Sequence, residues 1–200
     1  MSQIVLATPT PSRFHELAKK LSAAFPGASI LSPVDAGLDE SAMTIACSDP
    51  KINAELNAIR LRAQIPSPTL CVAEEIAFIP DAAPHKAVRM DDNCSALSDR
   101  FAGKDGALVV GLVLVAENGA VVRNNSVIPG KFGGEAGEDV TDIFFRHGAE
   151  TPLAMDPDFA ISESRAISQV GTLAGMKAMP IPVKPVDIGA YTVDAKSAQT

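Results

Sequence analysis

The run Thr69-Leu70-Cys71-Val72-Ala73, followed at once by Glu74-Glu75, constrains this chain most. It is continuously apolar, not alternating, so it predicts a strand at the centre of a sheet with both faces covered. Pro66-Ser67-Pro68 breaks the chain just before it. The strand delivers two carboxylates to its C-terminal end, the usual edge of a site in an open α/β sheet. Upstream, Ile4-Val5-Leu6-Ala7 and Ala28 to Leu31 predict two short strands. A helix is expected between them from about Ser12, with Phe14, Leu17, Ala18 and Leu21 on one face and Pro26-Gly27 at its end. Residues 35–49 read as loop. Asp49-Pro50 then reads as an N-cap with proline at the first helical position. That helix should run to about Gln64 on a face of Ile52, Leu56, Ile59 and Ala63.

Downstream, Ile76 to Ile79 continues extended and Pro80 to Pro84 turns. Asp91 to Phe101 fits a helix. Residues 107–117 and 120–128 alternate around Glu117-Asn118-Gly119, a hairpin signal. Pro129 to Gly137 reads as a mobile Gly-rich loop. Ile143 to Arg146 reads as a short strand, and a last helix as running from roughly Glu163 to Ala178. A strand that leads to a hydroxyl-rich helix start such as Ser162-Glu163-Ser164-Arg165 can build an anion site, because free N–H groups and the helix dipole point there. The order β-α-β-α-β, hairpin, β-α predicts an α/β protein with a mixed central sheet flanked by helices. Two hundred residues suit one domain over residues 1–179. Residues 180–200, with Pro180, Pro182 and Pro185, read as an extended tail that docks on a neighbouring subunit, on another protein or on its own domain.

A net charge of −7 and the absence of Trp argue against a nucleic-acid-binding surface, but leave room for a small phosphorylated ligand. Cys47, Cys71 and Cys94 show no metal or disulfide spacing and read as buried thiols. No segment approaches the ~18 apolar residues of a membrane span, and the start lacks a signal-peptide pattern. The expectation is a cytoplasmic protein without membrane or nucleic-acid partners.

Two constellations can carry chemistry. The loop Thr8-Pro9-Thr10-Pro11-Ser12-Arg13 joins a strand to a helix start. Its Thr8, Thr10 and Ser12 hydroxyls with Arg13 suit a phosphate grip. The plainer reading is a capped helix with a solvated Arg13. Glu74 and Glu75 suit Mg²⁺ and water activation, though neighbours on a strand face opposite sides. The plainer reading is a solvated pair. His15, His85 and His147 stand isolated and read as surface or capping residues.

These blocks resemble the inosine triphosphate pyrophosphatase (ITPase) family. Leu6-Ala7-Thr8-Pro9-Thr10-Pro11-Ser12-Arg13, with Glu16-Leu17, is similar to the family's L-A-T-x-N-x-x-K-x-x-E-L. Ala73-Glu74-Glu75 stands where the family has A-D-D. The helix with Asn53, Asn57, Arg60 and Arg62 stands at E-N-A-x-x-K-A. Thr141-Asp142-Ile143-Phe144-Phe145 and Arg165-Ala166-Ile167-Ser168-Gln169-Val170-Gly171 stand at D-P-I-F-F and S-A-I-S-H-R-G, with Asp142 one residue from the family's Asp. The resemblance implies a fold of two lobes around a cleft, usually a homodimer. It also implies Mg²⁺-dependent cleavage of a nucleoside triphosphate to monophosphate and pyrophosphate. Glu74 and Glu75 would be catalytic and metal-binding. Thr8, Thr10, Ser12, Arg13, Asp142, Arg165, Ser168 and Gln169 would bind substrate, with Phe132 the nearby aromatic for a base. The family's Lys, His and Arg positions differ here. The alternative is a catalytically inactive relative that binds nucleotide or serves in assembly.

Overall fold

The computed structural model describes residues 3–39, 49–65, 70–89, 94–133, 137 and 139–175. Along the chain come β1 (Gln3–Ala7), α1 (Pro11–Ala24), β2 (Ser29–Leu31), α2 (Pro50–Gln64), β3 (Leu70–Pro80) and β4 (Val88–Arg89). Then follow α3 (Cys94–Phe101), β5 (Asp105–Ala116), β6 (Val121–Phe132), α4 (Val140–Ile143), β7 (Phe144–Arg146), a 3-10 turn (Leu153–Met155) and α5 (Pro157–Leu173). The strands form one mixed sheet in the order β2-β1-β3-β5-β6-β7, with β4 also on β3. β2, β1 and β3 are parallel, and β3, β5, β6 and β7 antiparallel. The mixed sheet flanked by helices expected from the sequence is the architecture found. The break at 66–68, loop residues 40–48 and the tail 180–200 lie outside the described residues.

The pleat sorts the core. Ile4, Leu6, Leu70 and Val72 pack against Leu17 and Leu21 of α1 and Ile167 and Val170 of α5. Val5, Ala7, Cys71 and Ala73 pack against Ala54, Ala58 and Leu61 of α2. A further core lies around Phe78, Phe101, Phe132 and Phe144. Phe78 meets Phe132 edge-on at 4.7 Å and Phe101 at 5.1 Å, and such pairs add about 0.5–1.5 kcal/mol each beyond their burial. Phe132 is therefore core and does not face a ligand.

β3 differs most usefully from expectation. It does not stop before Glu74 but runs on to Pro80. β1 pairs with it only as far as Ala7↔Ala73, and β4 only at Ala77 and Phe78. Between them, at residues 74–76, neither strand lies along that edge, while β5 pairs along the other. The two carboxylates sit at this gap, in mid-strand.

Three further boundaries shift. α2 buries Asn53, Ala54, Asn57, Ala58 and Leu61, whereas Ile52 and Ile59 are exposed. Small residues on the buried face let the helix lie close to the sheet. Residues 129–132 belong to β6, not to a loop; their partners are Ala107 to Asp105 on β5 and β7 beyond. α5 starts at Pro157 behind an Asp156 cap, so Ser162 to Arg165 lie inside the helix and offer no free N–H groups.

Candidate functional site

Thr10, not Ser12, caps α1: its Oγ1 accepts from Arg13 N–H (3.2 Å), and Pro11 follows at the first helical position. The same hydroxyl donates to Asp139 Oδ2 (2.7 Å), and Thr8 Oγ1 donates to Thr10 O (3.0 Å). The loop is thus held by its own hydroxyls. Asp139 is buried and closes a capping box with Asp142, whose Oδ2 accepts the Asp139 N–H (2.9 Å). This fastens the α4 start to the 8–10 loop.

Cap geometry points Arg13 inward. The residue is 0% exposed. Its Nε and Nη2 donate to Glu74 Oε2 (2.9 Å) and Oε1 (2.6 Å), a bidentate pair. The same guanidinium also pairs with Glu16 and with buried Glu163, and Lys20 pairs with the other oxygen of Glu163. Burial opposes the charge on Arg13, but Glu74, Glu163 and Glu16 outweigh it and hold its pKa well above the usual value. Burial pushes the Glu74 carboxyl up, against the pull of Arg13, with Glu163 and Asp139 adding to the rise. Arg13 is a buried charge centre behind the wall, where the sequence suggested a ligand-facing cation.

Glu75 lies on the other face of β3. Its Oε1 accepts from Asn57 Nδ2 of α2 (2.9 Å) and its Oε2 from Arg89 Nη2 of β4 (2.5 Å). The Arg89 side chain is 26% exposed. Asn57 thus meets the carboxylate from the buried face of α2. Arg60 is exposed, and Arg62 donates to the carbonyls of Ile65 and Glu117.

A cavity of about 590 Å³ opens at the gap in the β3 edge, within the usual range for small-molecule sites. Glu74, Glu75, Arg89, the 6–11 loop, Phe14, His15 and residues 32–34 line it. Thr8 and Thr10 are in this wall; Ser12 and Arg13 are not among the lining residues. Neither are Asp142, Arg165, Ser168 and Gln169: Asp142 serves the capping box, Gln169 is exposed, and Val170 is core. Arg89 was missed in the sequence, and Asn57 was named without its carboxylate partner. A second cavity of about 570 Å³, between the β6 strand and α5, includes Arg146 and His147 but none of the carboxylate cluster.

Among the described residues no three metal-capable side chains converge. Mg²⁺ keeps several waters and needs only one or two carboxylates beside substrate phosphates, so a single suitable carboxylate meets the requirement. Glu74, held on both oxygens by a buried guanidinium, does not suit it. Glu75 fits better: Asn57 and Arg89 engage its two oxygens, and Arg89 is partly exposed.

No protein-family model and no curated protein matches the chain. Solved structures do. A nucleoside-triphosphatase / dITP/XTP pyrophosphatase from Mycobacterium abscessus shares 18% identity at a TM-score of 0.51, covering 87% of this chain and 100% of that one. A HAM1 protein from Coxiella burnetii shares 15% at 0.57, covering 88% and 99%. The Ham1 protein of Staphylococcus aureus shares 11% at 0.53, covering 87% and 97%. At these identities the likeness is one of fold.

Proposed function

We propose that the chain is a nucleoside triphosphate pyrophosphohydrolase that releases a nucleoside monophosphate and pyrophosphate. One observation carries this reading: the Glu75–Arg89 pair at the gap in the β3 edge, in a cavity walled by the Thr8–Pro11 loop. A guanidinium binds phosphate with charge-assisted, often bidentate hydrogen bonds. A triphosphate therefore competes with Glu75 for Arg89, and when it takes Arg89 it frees Glu75 Oε2. Glu75 would hold Mg²⁺, whose chemistry when bound is to polarise phosphate oxygens and lower the pKa of water. Glu74 then acts as a positioning residue: it fixes Arg13 behind the loop. The loop walls the polyphosphate, and the Thr8 and Thr10 hydroxyls, which donate to Thr10 O and Asp139, hold the loop in shape. The shared fold with a protein described as a dITP/XTP pyrophosphatase supports the reaction class.

A catalytically inactive nucleotide-binding relative is the second reading. The observation favouring it is that both oxygens of Glu74 and both of Glu163 are engaged by Arg13 and Lys20. A panel of nucleoside triphosphates, scored for pyrophosphate with Mg²⁺ and with chelator, separates the two. Mg²⁺-dependent release supports the hydrolase. Saturable binding with no release from any nucleotide leaves only the second reading.

A further inference from the structure

We infer that the outer wall of this cavity is an apolar slot for the nucleobase and that it accepts purines and pyrimidines alike. The inference rests on the nucleotide reading above. Beyond the Glu75–Arg89 pair, the cavity continues between the α1 start and the chain after β2, with Pro9, Pro11 and Phe14 on one side and Pro33 and Val34 on the other. The prolines have no N–H to donate. The Phe14 and Val34 side chains carry no polar atom. Ser32 Oγ, next to them, already donates to Asp35 Oδ2 (2.7 Å). His15 Nδ1 is tied to Pro11 O (2.7 Å), and the ring stands edge-on to Phe14 at 6.1 Å. Val34 is 56% exposed, so its side chain is open to contact from the cavity.

The chemistry follows from how little this wall offers a base edge: among the side chains of Pro9, Pro11, Phe14, His15, Pro33 and Val34, only His15 Nε2 is left to hydrogen-bond. A site built to hydrogen-bond a substrate OH or NH rejects an analogue lacking it by about 10⁴-fold or more, whereas an apolar pocket separates analogues by only about 10–200-fold. Four polar side chains suggested by sequence for substrate binding, Asp142, Arg165, Ser168 and Gln169, do not line the cavity. A flat ring between Phe14 and Val34 is held by contact area and shape.

The test is calorimetry of the full chain with Mg²⁺ and the α,β-methylene analogues of ATP, GTP and CTP, which resist α–β cleavage, beside inorganic triphosphate. The three analogues should bind within about tenfold of one another, and all at least tenfold more tightly than inorganic triphosphate. Val34→Asn lies on the surface and adds no charge. It should erase most of the nucleotide advantage and leave inorganic triphosphate unchanged. Preference for one base by more than a hundredfold, nucleotides no tighter than inorganic triphosphate, or an advantage untouched by Val34→Asn would each overturn the slot. Those results leave the phosphate site standing. Failure of every probe, inorganic triphosphate included, removes the nucleotide reading and the slot with it.

Discussion

Glu74 and Glu75 are adjacent in sequence, yet the pleat gives them opposite faces and different work. Glu74 meets Arg13 beneath the α1 start, and Glu75 meets Asn57 and Arg89 at the cavity. Glu75→Gln should therefore reduce pyrophosphate release by at least a hundredfold and also lower the thermal midpoint, because the amide keeps the shape but turns an NH₂ towards one of the two donors that Glu75 now accepts from. Release at the wild-type rate would remove Glu75 from the reaction. Cys71 gives a test independent of function. Burial pushes its thiol up to about 12, against a small opposing effect of Arg62. At pH 8 it should resist iodoacetamide in the folded protein and react in urea, as read by mass spectrometry of its peptide; rapid labelling of the folded chain would contradict the packing of β3. The residue types of the site were legible, and their partners were not. Arg13 finds Glu74 at 61 residues' separation and Glu163 at 150, and no local pattern encodes such distances. Arg89 follows a turn in a two-residue strand, too short to leave a periodic signal.

At the scale of elements, the grammar of caps was readable at α2 and misplaced at α1, where Thr10 and not Ser12 is the cap. Asp49-Pro50 marks the start of α2 as expected, and Asp156-Pro157 marks α5 by the same signal. The start of α5 was not legible at Pro157 because the hydroxyl-rich run Ser162-Glu163-Ser164 inside the helix carries the same cap-like residue types. The buried face of α2 misled for a different reason. Its apolar spacing favoured Ile52 and Ile59, but the sheet selects small residues, since the helix start crosses β5 at Gly111. A Cβ there would lie 2.7 Å from Lys51 Cα and 2.9 Å from Pro50 O, both backbone atoms that move only with the helix. Gly111→Ala should destabilise the fold by about 1–3 kcal/mol, the usual cost of overpacking, read as a lower urea midpoint at unchanged slope. Because Gly111 pairs with Glu75, the same substitution should also disturb the cavity and lower activity more than stability alone explains. An unchanged midpoint would mean that α2 sits farther from the sheet than described.

At the scale of the whole molecule, the strand-and-helix order read from sequence gave the sheet and its flanking helices, because each piece has its own period and punctuation. How the ends of the chain meet was not readable. The buried network of Arg13, Glu74 and Glu163 ties α1 near the N-terminus to the middle of β3 and to α5, with Lys20 closing it toward solvent. Removing one partner from such a network leaves uncompensated buried charge and costs about 3–5 kcal/mol, whereas replacing a buried pair with apolar groups of like size is often neutral or stabilising. Arg13→Met should therefore unfold at markedly lower urea than wild type. Arg13→Met with Glu74→Met should recover part of that loss, although it still leaves Glu163 to Lys20 alone. This double-mutant comparison separates two roles for Arg13. If Arg13 served only to contact ligand, the single substitution would weaken triphosphate binding and leave the unfolding midpoint in place. A network that joins the ends predicts the opposite order: loss of stability in the ligand-free protein, with binding affected only as far as the 8–10 loop loses its support.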